Sequence, residues 1–179
     1  MKQYPNILMV AGNGRNVGKT LLSCRIIKHL AESTDVYAVK ISSHFHSLDN
    51  EAHIITCTDD FCIVKETLDT RKDSSRMLRA GAKEVLYVQC KNQNLPQMFD
   101  NLQAFLTIDK PVIIETGGLY NYINPHTLYY IKGEDSSKQK PMRDGNNIIM
   151  LSPDEALAFN VETIFSDGPQ FKIRNYEKV

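Results

Sequence analysis

The stretch Gly12-Asn13-Gly14-Arg15-Asn16-Val17-Gly18-Lys19-Thr20 constrains this 179-residue chain more than any other. An apolar run, Ile7 to Ala11, precedes it, and Leu21, Leu22, Ile26, Ile27 and Leu30 follow at helical spacing. The pattern predicts a strand, a glycine loop and a helix. Small residues there let backbone N–H groups converge on an anion at the helix N-terminus. In this reading the N–H groups of Gly14, Val17 and Gly18 line a phosphate cradle, and Arg15 and Asn16 complete the nucleotide-binding set. Lys19 neutralises the charge of the β- and γ-phosphates, and Thr20 gives its hydroxyl to Mg²⁺. The strict pattern wants glycine at position 13, where this chain has Asn13. Asparagine tolerates positive φ, so the loop is expected to keep its shape.

The strand and helix candidates alternate along the rest of the chain. Ser33-Thr34-Asp35 makes a turn into a strand at Val36 to Ile41, closing a βαβ unit. His53 to Cys57 and Phe61 to Lys65 flank Thr58-Asp59-Asp60, which predicts a β-hairpin within an excursion of about 43–70. A short helix from Asp73 to Ala82, capped by Asp73 or Ser74 and ended by Gly81, leads to a strand at Val85 to Cys90. Leu95, Met98, Phe99, Leu102, Phe105 and Leu106 mark a helix, and Pro111 opens a buried strand ending at Glu115. Thr127 to Ile131, Ile148 to Leu151, a helix opened by Ser152-Pro153-Asp154-Glu155, and Val161 to Phe165 finish the core, with a mobile loop expected at 133–147. This order predicts one α/β domain over 1–179, a three-layer P-loop NTPase fold with a mainly parallel sheet and an inserted hairpin.

Composition narrows the partners. Hydrophobic residues make up 42% and charged residues 23%, which supports a packed core. Lys plus Arg and Asp plus Glu both total 21, so no net field favours nucleic acid or a membrane surface. The longest apolar runs fall far short of the about 20 residues needed to cross a bilayer. The N-terminus shows no signal-peptide pattern, and a cytoplasmic location is the expectation. Cys24, Cys57, Cys62 and Cys90 lack CxxC spacing and are expected to be buried thiols in a reducing compartment.

Glu115 ends an apolar strand just before Gly117-Gly118, where a carboxylate could meet the magnesium shell or a water beside the γ-phosphate. Together with Val39-Lys40, His44, His46, Lys72-Asp73-Ser74-Ser75-Arg76 and Ala80-Gly81-Ala82, the glycine loop resembles the molybdopterin-guanine dinucleotide biosynthesis protein B (MobB) family. The resemblance covers about positions 5 to 131. It implies a usually dimeric P-loop GTPase of the signal-recognition-particle and nitrogenase-iron-protein class, using GTP and Mg²⁺ beside a molybdopterin guanylyltransferase partner. It puts Lys19 and Thr20 on nucleotide and metal, and Asp73 and Arg76 on the phosphate side. Lys40 and His46 line the facing edge, and Lys19, Glu115 and Asp73 become the catalytic candidates.

Two other readings compete. The glycine loop and Glu115-Thr116-Gly117-Gly118-Leu119 also resemble the strand ends of dethiobiotin synthetase, an ATP-dependent ligase of the same fold class in which Lys40 has a counterpart. His44, His46, His53, Cys57 and Cys62 fall in one window and raise a metal-carrier reading, although their spacing fits no standard zinc pattern. No Asn-Lys-x-Asp motif is present to hold guanine, so GTP rests on the resemblance, and Ser152 to Glu155 and Asp167 are positional guesses for the base pocket.

Overall fold

Strand β1 (Gln3–Asn13) sets the layering of the molecule, because its side chains alternate between two buried faces. Ile7, Met9 and Ala11 enter one hydrophobic cluster, and Leu8 and Val10 enter another on the opposite side. A strand buried on both faces reads as a continuous apolar run, as the sequence has it. The computed structural model of the chain describes residues 1–48, 51–67, 71–106, 109–133 and 147–174. Most of the mobile loop expected at 133–147 therefore lies outside the described residues.

The other elements are α1 (Lys19–Leu30), β2 (Tyr37–Ser42), β3 (His53–Cys57), β4 (Phe61–Lys65), α2 (Asp73–Arg79), β5 (Glu84–Cys90), α3 (Leu95–Leu102), β6 (Val112–Glu115), β7 (Asn124–Lys132), β8 (Ile148–Leu151), α4 (Pro153–Ala158), β9 (Ile164–Asp167) and β10 (Gln170–Ile173). Eight strands form one sheet in the order β3-β4-β5-β2-β6-β1-β7-β8. The strands from β5 to β8 pair in parallel, and β4 and β3 add an antiparallel edge. The chain is thus an α/β protein built on a large, mostly parallel sheet.

Helices cover both faces. Leu22, Ile26, Ile27 and Leu30 of α1, Met77 of α2 and Ala156 of α4 pack on the Leu8 and Val10 side, while Leu95, Met98, Phe99 and Leu102 of α3 cover the other. Each fully buried Leu, Ile or Phe among them contributes about 1.5–3 kcal/mol over an exposed position. The helix expected after Ser152 is present and opens with a capping box, Ser152 accepting from Glu155 N–H and the Glu155 carboxylate accepting from Ser152 N–H.

Four local expectations are corrected. Helix α3 stops at Leu102, leaving Phe105 exposed. Lys72 stands at the N-cap of α2, and Asp73 is the first helical residue, its carboxylate drawn to cations rather than to backbone N–H groups. Val161–Thr163 is a 3-10 turn, and the strand that follows pairs with β10 in a separate two-stranded ribbon instead of joining the main sheet. Cys57 and Cys62, expected as thiols, sit opposite each other in the hairpin and are joined as a disulfide, whereas Cys24 and Cys90 remain thiols.

Candidate functional site

Strand order puts a crevice at the carboxyl ends of β1, β2 and β6, where the chain turns from one side of β1 to the other. A cleft of about 1080 Å³ opens there, lined by the whole loop from Gly12 to Thr20, by Lys40 to His44 and His46, by Asp73 and Arg76, and by Glu115 to Gly117. The phosphate, metal and catalytic candidates therefore all line one cleft, although they come from four separate stretches of chain.

The loop from β1 to α1 takes left-handed backbone at Gly14 (φ 103°), Asn16 (φ 60°) and Gly18 (φ 99°), while Arg15 and Val17 do not. Such alternation turns successive N–H groups inward and forms a concavity that binds anions. Gly18 is also the N-cap of α1, whose first turn carries no acidic side chain, so the positive end of the helix dipole faces the cleft. Lys19 Nζ donates to the Gly14 carbonyl at 2.6 Å and holds the loop curled. Asn13 does not use positive φ as expected. It ends β1, is buried, and its Oδ1 accepts from Gly133 N–H at 2.7 Å, which fastens the loop base to the end of β7.

Opposite the loop, β6 runs between β1 and β2, so that Glu115 lies in register with both Val10 and Lys40. Thr20 Oγ1 donates to Glu115 Oε1 at 3.1 Å, and the Lys40 ammonium donates to the same oxygen. Lys40 Nζ also lies 3.2 Å from Asp73 Oδ2, and Arg76 Nη1 lies 3.2 Å from Asp73 Oδ1. The result is a continuous polar chain from Thr20 through Glu115, Lys40 and Asp73 to Arg76. Burial raises the Asp73 pKa, but the Lys40 charge, hydrogen bonds from Lys40 and Thr20, and the Arg76 charge outweigh it and hold the carboxyl below its ordinary value. Beneath the cleft, burial pushes the Cys24 thiol up to about 11, which keeps it protonated and unreactive at neutral pH.

Glu115 is 1% exposed, and its Oε2 has no hydrogen-bond partner among the described residues. A buried carboxylate oxygen left unpaired is costly unless a ligand meets it. Glu115 and Thr20 offer oxygens suited to a hard divalent cation, and Mg²⁺ typically takes one or two carboxylates together with phosphate oxygens and water. Among the described residues, no group of three or more His, Cys, Asp or Glu side chains is arranged to hold a metal by itself.

The histidine and cysteine window divides. His44 and His46 line the cleft with ring centroids 6.3 Å apart, whereas His53 is exposed on β3 and Cys57 and Cys62 are tied together at the hairpin. Sequence reasoning missed Gln89, whose buried side chain accepts from His46 N–H and donates to His46 C=O, fixing the wall opposite the glycine loop. It also missed the buried bond from Ser74 Oγ to Glu66, which anchors the start of α2 to the chain leaving the hairpin. Ser152 to Glu155 and Asp167, the positional guesses for a base pocket, do not line the cleft. His29 and His126 serve packing, His29 bonding the Ile164 carbonyl and His126 the Thr127 hydroxyl.

Fold and site together define an α/β protein with an open cleft at its parallel strand ends, lined by the glycine loop. No family model matches the chain, and no curated protein or solved structure matches it.

Proposed function

We propose that the chain is a Mg²⁺-dependent P-loop protein of the three-layer NTPase fold that binds GTP and acts as a weak GTPase or adaptor in the synthesis of molybdopterin guanine dinucleotide. The observation that carries the nucleotide reading is Glu115, a buried carboxylate that lines one cleft with the curled glycine loop, accepts from the Thr20 hydroxyl at Oε1 and has no partner for Oε2 among the described residues. Magnesium bound there would offset phosphate charge and orient water. Lys19 and the loop N–H groups would hold the phosphates, with Glu115 and Thr20 toward the metal.

The molybdenum-cofactor part rests on the resemblance carried by Lys72 to Arg76. Its structural support is that Asp73 and Arg76 reach the same cleft through Lys40. The homodimer and the guanylyltransferase partner belong to this proposal as well. A second reading, an ATP-dependent ligase similar to dethiobiotin synthetase, draws support from Lys40 lying in register with Glu115 and from Gly117 at the cleft. The metal-carrier reading draws none from the hairpin, where the two cysteines bind each other.

A panel of nucleotides with Mg²⁺, read by thermal shift, tests the proposal, since a ligand at about 100 times its Kd stabilises by about 2.7 kcal/mol. GTP is expected to raise Tm more than ATP. A greater rise with ATP, together with ATP-dependent carboxylation of a diamine, would replace the first reading with the second. No shift with any nucleotide would overturn both.

A further inference from the structure

Lys40 occupies an unusual place for a lysine. It projects from the central strand β2, its side chain is 15% exposed, and its ammonium is shared between Glu115 Oε1 and Asp73 Oδ2. Glu115 Oε1 is also the acceptor of the Thr20 hydroxyl. The ammonium thus sits on a carboxylate of the cleft lining whose other oxygen has no hydrogen-bond partner among the described residues. Along the chain from Glu115 to Arg76, two carboxylates face two cations, and the formal charge is zero.

We infer that the Lys40 ammonium is a built-in stand-in for the divalent cation, so that metal enters this site only together with a polyphosphate. The inference rests on the proposed nucleotide site and concerns its regulation. A divalent cation arriving alone at Glu115 would meet a neutral cluster whose nearest cation is the one already bonded to its ligand. Two positive charges would then share one buried carboxylate, and the partly desolvated setting makes that repulsion stronger than in water. A polyphosphate brought by the loop changes the balance, because its negative charge offsets both cations. Asp73, held ionised by its neighbours, gives the ammonium a second acceptor already within 3.2 Å, so Lys40 can release Glu115 without losing its counterion. Lys40 is in this sense a positioning residue: bonded to one oxygen of the buried Glu115 carboxylate, it couples metal binding to nucleotide binding.

The test measures Mn²⁺ by electron paramagnetic resonance in the full chain, first alone and then with inorganic triphosphate or a non-hydrolysable GTP analogue. The parent is expected to bind Mn²⁺ weakly alone and at least about tenfold more tightly with polyphosphate, a factor modest for charges a few ångströms apart. Lys40→Met keeps the length of the side chain and removes the charge. It is expected to bind Mn²⁺ alone at least about tenfold more tightly than the parent and to lose most of the coupling, while Lys40→Arg keeps the parental pattern.

Parental Mn²⁺ affinity in a folded Lys40→Met variant would overturn the inference and leave the nucleotide reading standing. Should Lys40→Met not fold, the parent decides: equal Mn²⁺ affinity with and without triphosphate overturns the inference, and a rise supports it. Failure of the parent to bind any nucleotide, with Mn²⁺ binding still gained in Lys40→Met, would overturn the functional proposal and keep the stand-in role of Lys40.

Discussion

Thr20 and Glu115 are 95 positions apart in sequence, yet the Thr20 hydroxyl donates to Glu115 Oε1 across 3.1 Å in the buried floor of the cleft. Parallel pairing makes this possible. β6 lies beside β1 with Val10 in register with Glu115, and α1 starts directly after the loop that follows β1. A hydroxyl at the second position of α1 and a carboxylate at the last position of β6 therefore meet. Thr20→Val keeps the shape and deletes the donor. Its Mg²⁺-dependent gain in nucleotide affinity is expected to fall about tenfold or more, since a lost bond to a charged group costs about 1.5–3 kcal/mol. Calorimetry with and without Mg²⁺ measures this, and Thr20→Ser should retain the gain. Equal Mg²⁺ dependence in parent and Thr20→Val would remove Thr20 from the metal assignment.

The loop base gives a stability prediction. A Cβ at Gly12 would meet the Ile131 carbonyl oxygen of the adjacent strand far inside van der Waals distance, and that backbone cannot move without breaking the β1–β7 ladder. Gly12→Ala is expected to destabilise the fold by about 3 kcal/mol or more. Asn13→Ala leaves the buried Gly133 N–H without its acceptor and should cost about 1–3 kcal/mol. Denaturant melts of both variants decide the matter. A Gly12→Ala midpoint equal to the parent would contradict the close approach of β1 and β7.

Much of this was legible in the sequence, for physical reasons that differ by region. The alternation of short apolar runs with helical spacing reported a parallel sheet covered on both faces, because Ile7 to Ala11 of β1 and Val112 to Ile114 of β6 lie between two helix layers and are apolar on both sides. The glycine loop and Glu115 were legible because a glycine-rich turn between strand and helix and a strand-end carboxylate suit a phosphate and its metal, whereas Lys40 and Lys72 to Arg76 were reached only through a resemblance. What failed was tertiary. Nothing local says that Asn13 spends its side chain on Gly133, that Gln89 grips His46, or that Lys40 outcompetes backbone N–H groups for Asp73, since each partner is distant in sequence. The cysteine expectation failed for the same reason: spacing alone does not show that the hairpin register puts Cys57 opposite Cys62.

Acid should loosen the cleft through Asp73. Its folded pKa is held below the ordinary value, so the ionised form stabilises the fold above the unfolded value. That contribution is lost as pH falls through the folded value, below about 4. The side chain is 44% exposed, so screening keeps the effect to about 1 kcal/mol or less. Melting temperatures of the parent and Asp73→Asn should converge as pH drops from 5 toward about 3. A constant gap between them across that range would show that Asp73 contributes nothing through its charge.

The hairpin disulfide is countable. Under denaturing, non-reducing conditions a thiol reagent should find Cys24 and Cys90 alone, and after reduction all four cysteines. Because the bridge spans only five positions, its contribution through loop closure is about 2 kcal/mol. Cys57→Ser with Cys62→Ser should lower stability by no more than that and leave nucleotide binding unchanged, since neither residue lines the cleft. Four reactive thiols before reduction would refute the bridge.

Lys19 makes the sharpest separation between folding and binding. It is the first residue of α1 and its ammonium donates to the Gly14 carbonyl across the mouth of the loop. Alanine at that position favours helix. The apolar packing of α1 comes from Leu22, Ile26, Ile27 and Leu30 further along, so Lys19→Ala should melt within about 0.5 kcal/mol of the parent. Nucleotide binding should behave otherwise. On the proposed function, Lys19→Ala removes a cation that would meet two phosphates and with it charge-assisted hydrogen bonds worth about 1.5–3 kcal/mol each, so GTP affinity should fall about 100-fold or more. Lys19→Arg should not restore it, because the planar, longer guanidinium does not fit where a compact ammonium bridges the Gly14 carbonyl and the phosphates. A folded Lys19→Ala protein that binds GTP and ATP as tightly as the parent would mean that the glycine loop is a turn between strand and helix and not a phosphate cradle.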